Sequence, residues 1–368
     1  MQNHCKDHLA RSVLRQPPMN LGFLGVGEQG LQNLIPALQQ IDDTRVVAVC
    51  DMSRTRAERA GARCGGARVF ESIPEMLDSK FDGKPLDAVI AAAYPQVHID
   101  LAEQALARKI PVFVEKPPCY DRAQLVRLIE QAKHAGVATG VGLNFRFATA
   151  IQRLQELIAA PAFGGVAYID VLHTANKPRI PLWNAASTAR AVLLAQTIHA
   201  LDLAIALGGG KMADFDHRIV EETGDGLLTE VSIEFGSGAL GRVLSGNLFP
   251  DFTFFLRVVG RKGHMATINN FWELEYKAEG QSGPDGRDNK RWRNGWHPSP
   301  LDSGHARTGY VGELAAFLAS VKSKERFACD FASMIPTYDV IEAICQPIES
   351  RSSGAGDRRV ASAPAANI

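Results

Sequence analysis

The chain carries no excess of either charge: 40 lysines and arginines stand against 40 aspartates and glutamates over 368 residues. Counterion release needs a strongly basic surface, so nucleic acid is not expected as a partner. Cysteine is scarce and unpatterned. Cys5, Cys50, Cys64, Cys119, Cys329 and Cys345 form no CxxC pair, which fits reduced thiols in a cytoplasmic protein better than a disulfide framework or a zinc site. No apolar run reaches the ~18–20 residues of a membrane span without a glycine or polar residue inside it, so no membrane partner is expected. The opening stretch, MQNHCKDHLARSVLRQPPMN, has neither an apolar core nor a small-residue cleavage site. It is expected to be a disordered arm over 1–18 rather than a secretory signal. His4, Cys5 and His8 within it would bind metal only adventitiously, and no metal site is expected.

At ~100–200 residues per domain, the length suggests two domains. In the first, short apolar runs alternate with helical stretches. Strands are expected at Leu21–Gly25, Arg45–Cys50, Leu86–Ala92, Ile110–Val114 and Val137–Leu143, with helices at Gln29–Gln40, Ser53–Cys64, Val97–Arg108 and Ala123–Ala135. Pro36 is expected to bend the first of these helices. Strands separated by helices of this length imply a parallel sheet covered on both faces, a doubly wound α/β domain over 19–145.

The pattern then changes. After a helix at Thr149–Ala160, apolar and polar residues alternate in Val166–His173, Leu228–Phe235, Ala239–Leu248, Phe252–Val259 and Met265–Leu274. This reads as a largely antiparallel sheet in an α+β domain over 146–349, interrupted by one apolar helix at Arg190–Leu207. The stretch Lys277–Gly309 is expected to be a long loop, and 350–368 a disordered tail.

Gly25-Val-Gly-Glu-Gln-Gly30 fits GxGxxG, follows an expected strand and opens an expected helix, and Asp51 ends the next strand 21 residues on. That context is what a dinucleotide site requires. Gly25 permits the tight turn, Gly27 lets backbone N–H groups approach a pyrophosphate, and Gly30 allows helix to pack on strand. The helix N-terminus favours the phosphates. Asp51 would accept from the ribose hydroxyls and repel a 2′-phosphate, which favours NAD. Arg54 and Arg56 follow closely and can neutralise such a phosphate, so NADP stays possible.

The fourth strand runs into Glu115-Lys116-Pro117-Pro118. Ligands of open α/β sheets bind beyond the carboxyl ends of strands, which puts Lys116 at the crevice. Together with Tyr94-Pro-Gln-Val-His98, Asn144-Phe-Arg-Phe147 and His199-Ala-Leu-Asp202, these motifs resemble the glucose–fructose oxidoreductase/inositol dehydrogenase (Gfo/Idh/MocA) family over about residues 19–345. The resemblance implies a Rossmann domain, a second domain whose open sheet forms the contact of a homodimer or homotetramer, and NAD(P)-dependent hydride transfer at a sugar, sugar acid or cyclitol carbon.

The resemblance adds Glu28, Gln29, Tyr94, His98, Glu115 and Lys116 to the cofactor site. It makes Lys116 and His199 the catalytic pair, with histidine suited to exchange a proton near neutral pH. The family's aspartate, four residues before this histidine, is here Ala195. Asp202 shares the face of His199 and can hold its imidazole, or the two form a buried polar pair. Asn144, Arg146, His173, Lys177 and Trp183 are expected to line the substrate cleft. Arg146 can fork onto an anion or make a structural ion pair. Arg190 can contact an anionic substrate or stand on the surface at a helix start. Arg291-Trp-Arg-Asn-Gly-Trp-His297 can stack on a sugar, or its tryptophans can pin a solvated loop. A non-catalytic nucleotide-binding sensor and an NAD-dependent glycosidase remain open beside the dehydrogenase.

Overall fold

The computed structural model describes residues 17–278, 294–299 and 304–356. The arm at 1–16, Trp292 and the tail beyond 356 lie outside the described residues. Six parallel strands form the first sheet: β1 (Met19–Leu24), β2 (Thr44–Cys50), β3 (Arg68–Phe70), β4 (Ala88–Ala91), β5 (Val112–Glu115) and β6 (Thr139–Gly142), in the order β3-β2-β1-β4-β5-β6. Every residue of β1, β4, β5 and β6 is buried, because crossover helices cover both faces. Sequential order reverses between β1 and β4, and this switch point opens a crevice at their carboxyl ends.

The helices start and stop on chemical signals. Ser53 caps Arg54–Arg63 by accepting from the Arg56 N–H, and Asp121 caps Arg122–Ala135 by accepting from the Gln124 N–H. Gly136, at φ +66°, ends the second of these helices. The expected bend at Pro36 is absorbed differently: a π-helical stretch, Gly30–Leu34, precedes Ile35–Leu38, so Pro36 falls at the start of an α-helical turn.

The second sheet has eight strands among the described residues. They are β7 (Val166–Thr174), β8 (Met212–Glu222), β9 (Leu227–Phe235), β10 (Leu240–Gly246), β11 (Thr253–Gly260), β12 (His264–Asn269), β13 (Glu273–Ala278) and β14 (Asn294–Trp296). Their order is β14-β13-β12-β11-β7-β10-β9-β8, antiparallel apart from β7 with β10. Burial alternates along β9 and β11, so one face meets the helices.

Three readings change here. The run expected over Met265–Leu274 is two strands, because Asn270 and Phe271 take positive φ and turn the chain. The stretch expected as one long loop from Lys277 holds the end of β13 and all of β14. The last helix, Ile335–Gly356, continues past position 350.

The apolar helix Thr188–Leu207 is long and apolar enough to cross a membrane, yet 83% of its most apolar window is buried inside the protein. It is a core helix. A π-helical turn, Leu193–Thr197, interrupts it, and the Ile198 N–H reaches back to the Leu193 carbonyl. Helix Tyr310–Ser323 returns to the first sheet, where Phe317 fills the space above Gly140 and lies 5.4 Å from the Phe113 ring.

Candidate active site

The glycine-rich turn lies at the switch point. Gly25, at φ +82°, donates its N–H to the Cys50 carbonyl, and a Cβ there would come within 2.5 Å of the Ala92 carbonyl oxygen. A Cβ on Gly30 would come equally close to the Gly25 carbonyl. Gly27 differs: no atom lies within 4 Å of where its Cβ would be. The turn therefore leaves a concavity at the start of a helix, where unpaired N–H groups point outward, and it fits a pyrophosphate.

Asp51 closes this end. Its Oδ2 accepts from the Val26 N–H at 3.0 Å, and its Oδ1 accepts from the Ser53 N–H and the Arg56 guanidinium. Burial opposes the charge, but the Arg56 and backbone donors outweigh it and hold the carboxyl below its usual range. Arg56, not Arg54, stands at Asp51. Arg54 pairs outward with Glu58.

Lys116 follows β5 directly. Its Nζ donates to the Ala195 carbonyl at 2.9 Å, inside the π-helical turn. The neighbouring Glu115 carboxylate is buried and accepts from the Lys116 N–H and from Gln29, whose amide also donates to the Tyr310 hydroxyl. Burial drives the Lys116 pKa down, Glu115 counters it, and Lys177 adds to the fall.

Lys116, His173, Gln196, His199 and Tyr310 share a cavity of about 610 Å³ with Lys177, Arg179 and the apolar faces of Phe145, Trp183 and Phe252. The His199 ring stacks on Phe145 at 4.3 Å and meets His173 edge-on at 6.3 Å. Burial, then the Lys116 charge, holds both histidines neutral, His173 down to about 3.

Residues 19–143 match the Gfo/Idh/MocA oxidoreductase family, NAD-binding Rossmann fold. A dehydrogenase structure from Chromobacterium violaceum superposes with a TM-score of 0.87 at 38% identity, over 94% of this chain and all of that one. The chain belongs to the Gfo/Idh/MocA family. It is also 26% identical to myo-inositol 2-dehydrogenase from Thermotoga maritima over 83% of this chain and 89% of that protein. Over 102 residues, 28% of this chain and 30% of the relative, it is 33% identical to galactose 1-dehydrogenase from Pseudomonas fluorescens. As a Gfo/Idh/MocA protein it is an NAD-binding oxidoreductase that acts on a small molecule.

Not every residue named from the Gfo/Idh/MocA resemblance reaches the cavity. Arg146 is turned away: its Nε donates to Asp202 Oδ2 at 2.6 Å and its second nitrogen to Oδ1, with the Asp202 side chain buried and that of Arg146 mostly so. The forked geometry expected for a ligand anion is spent on Asp202. Asp202 in turn does not hold the imidazole, and His199 Nδ1 is buried without a partner.

Arg190 is neither on the surface nor at the substrate. It is buried against the last helix, bonded to Glu342, Glu349 and the Tyr120 carbonyl. Asn144 gives its amide to the Thr308 carbonyl. His98 is fully buried, with Nδ1 bonded to the Pro117 carbonyl and Nε2 accepting from the Ala93 N–H, so it braces the loops on either side of the crevice. Glu28 and Tyr94 are exposed at the rim.

Arg179, Phe252 and Tyr310 escaped the sequence reading, since no motif marks them, and Phe145 was passed over inside the Asn144–Phe147 motif in favour of its polar neighbours. The basic tryptophan segment is partly described. Trp272 takes the Arg307 guanidinium over its ring at 3.5 Å, and His297 bonds the Trp272 carbonyl.

His98 has a consequence for acid stability. Burial lowers its pKa from 6.5 to about 4. Below pH 6.5 the unfolded chain takes up this proton and the folded one does not, so stability present at neutral pH is lost as pH falls toward 4. His98 alone removes about 2 kcal/mol by pH 5. The urea midpoint should therefore drop between pH 7.5 and 5, and drop less in His98→Gln. A midpoint constant across that window would contradict the buried neutral imidazole.

Proposed function

We propose that the chain transfers hydride between NAD and a hydroxyl- or keto-bearing carbon of a sugar, sugar acid or cyclitol in the 610 Å³ cavity. The observation that carries this is the convergence of Lys116 and His199 on one cavity beside the nucleotide turn. Bound NAD supplies the hydride chemistry.

The Gly25–Gly30 turn and its helix would hold the pyrophosphate, and Asp51 the adenosine ribose. Arg56 is occupied by Asp51 and Arg54 by Glu58, which supports NAD over NADP. Lys116 donates to the reacting oxygen while the Ala195 carbonyl steadies its ammonium. His199, neutral and stacked on Phe145, takes the hydroxyl proton during oxidation and returns it during reduction. Phe145, Trp183 and Phe252 exclude water from the ring carbons. The names of the inositol and galactose relatives agree with a polyhydroxylated substrate. A second copy would pack on the solvent-facing side of the eight-stranded sheet to give a homodimer or homotetramer.

A spectrophotometric screen of polyols, sugar acids and keto-sugars with both nucleotides tests this reading. Turnover is expected with at least one polyhydroxylated compound, with NAD(H) favoured by about tenfold or more. Nucleotide binding without turnover of any such compound would overturn it.

A further inference from the structure

The charge of the cavity is one-sided. Lys116, Lys177 and Arg179 line it together with His173 and His199, and among the described residues no aspartate or glutamate does. The nearby acids are committed elsewhere. Asp202 is paired with Arg146, and Glu115 accepts from Gln29 and from a backbone N–H. Lys116 leans on a neutral carbonyl rather than a carboxylate.

At the mouth, Arg179 gives its Nε to the Asn176 carbonyl and stands 3.7 Å from Asp225, an exposed acid outside the lining. Lys177 makes no hydrogen bond or ion pair with another described residue, and its charge is felt at Lys116. Three cations around one concavity whose lining holds no carboxylate raise the local concentration of anions, and Lys177 is left with a charge for the ligand to answer. Phe145, Trp183 and Phe252 offer apolar faces to the C–H side of a ring.

We infer that the substrate is a polyhydroxy compound bearing an anionic group, carboxylate or phosphate, which Lys177 and Arg179 hold while Lys116 and His199 face the reacting hydroxyl. This rests on the reading of the cavity as the substrate site, and it narrows the substrate class from polyols in general to their acids and phosphate esters.

Calorimetric titration of the NADH-loaded full chain tests it with matched sets: D-galactose, D-glucose and myo-inositol against D-galacturonate, D-glucuronate, D-gluconate and the two hexose 6-phosphates. At least one anionic compound should bind about tenfold or more tightly than its neutral parent. The arm that does so identifies the anion as carboxylate or phosphate. The double variant Lys177→Gln, Arg179→Gln should erase that advantage while NADH affinity stays within about threefold, since neither side chain meets the nucleotide turn. Three results overturn the inference: a neutral parent that binds equally well, an anionic advantage that survives the double variant, or a set in which no anion binds. Turnover with NAD in the same samples separates the two readings. Preferential oxidation of a neutral polyol refutes the anion site and leaves the dehydrogenase reading intact. Anion binding without oxidation of any compound does the reverse.

Discussion

Lys116→Ala is expected to lower kcat/KM by about 10³-fold or more while leaving NADH affinity within about threefold. The side chain extends from the end of β5 into the substrate cavity, and its Nζ bonds to the Ala195 carbonyl in the other domain's helix. In the proposed mechanism, removing it takes away the donor to the reacting oxygen. The nucleotide turn, held by Asp51, Cys50 and Ala92, does not depend on it. Lys116→Met keeps the apolar stem and loses the ammonium, so it should be equally inactive. Lys116→Arg keeps the charge but not the compact single donor, and should recover only part of the rate. Steady-state kinetics with a nucleotide titration reads all three. An alanine variant as active as the parent would refute the assigned role.

The largest effect on stability is expected from Arg146→Ala, a loss of about 3–5 kcal/mol in urea unfolding. Burial disfavours the guanidinium, yet Asp202 outweighs this and holds it charged. Deleting the arginine strands the Asp202 carboxylate, which is 1% exposed, on the apolar core helix. The cost comes from the stranded charge rather than from the lost pair. It follows that Arg146→Met with Asp202→Leu, which removes both charges and fills the space, should recover most of the stability. A single variant within about 1 kcal/mol of the parent would show that the pair is hydrated in solution.

The nucleotide domain was legible because each of its signals is local. The glycine spacing, the apolar runs and the caps at Ser53 and Asp121 act within a few residues. The strands that escaped notice are those whose burial is not regular. β8 is an edge strand with most of its residues exposed, β3 has three residues, and β14 sits at the other edge of the second sheet. At the site, the family resemblance pointed to Lys116 and His199. His173, Lys177 and Trp183 were expected beside them and line the same cavity, but the ion-pair partners were not legible. Asp202 lies three residues from His199, and helix geometry alone made it the imidazole's partner. The arginine that claims it comes from a turn 56 residues earlier. Arg190 was misplaced for the same reason, since its carboxylates lie more than 150 residues away. Gln196, which no motif marks, lines the cavity and donates to the His173 and Gly246 carbonyls. No side-chain pattern announces a π-helical turn.

That turn sets the phase of the helix that contains it. An α-helix advances about 100° per residue, so each position beyond Leu193–Thr197 owes its azimuth to the number of residues taken up there. Arg190, before the turn, has to face the last helix, while His199, after it, has to face the cavity and Asp202 to face Arg146. Shortening this stretch by one residue would swing everything beyond it by about 100° and carry His199 off the cavity wall. The helix thus tolerates changes of side chain on its surface far better than changes of length, and its chemistry is encoded partly as a count.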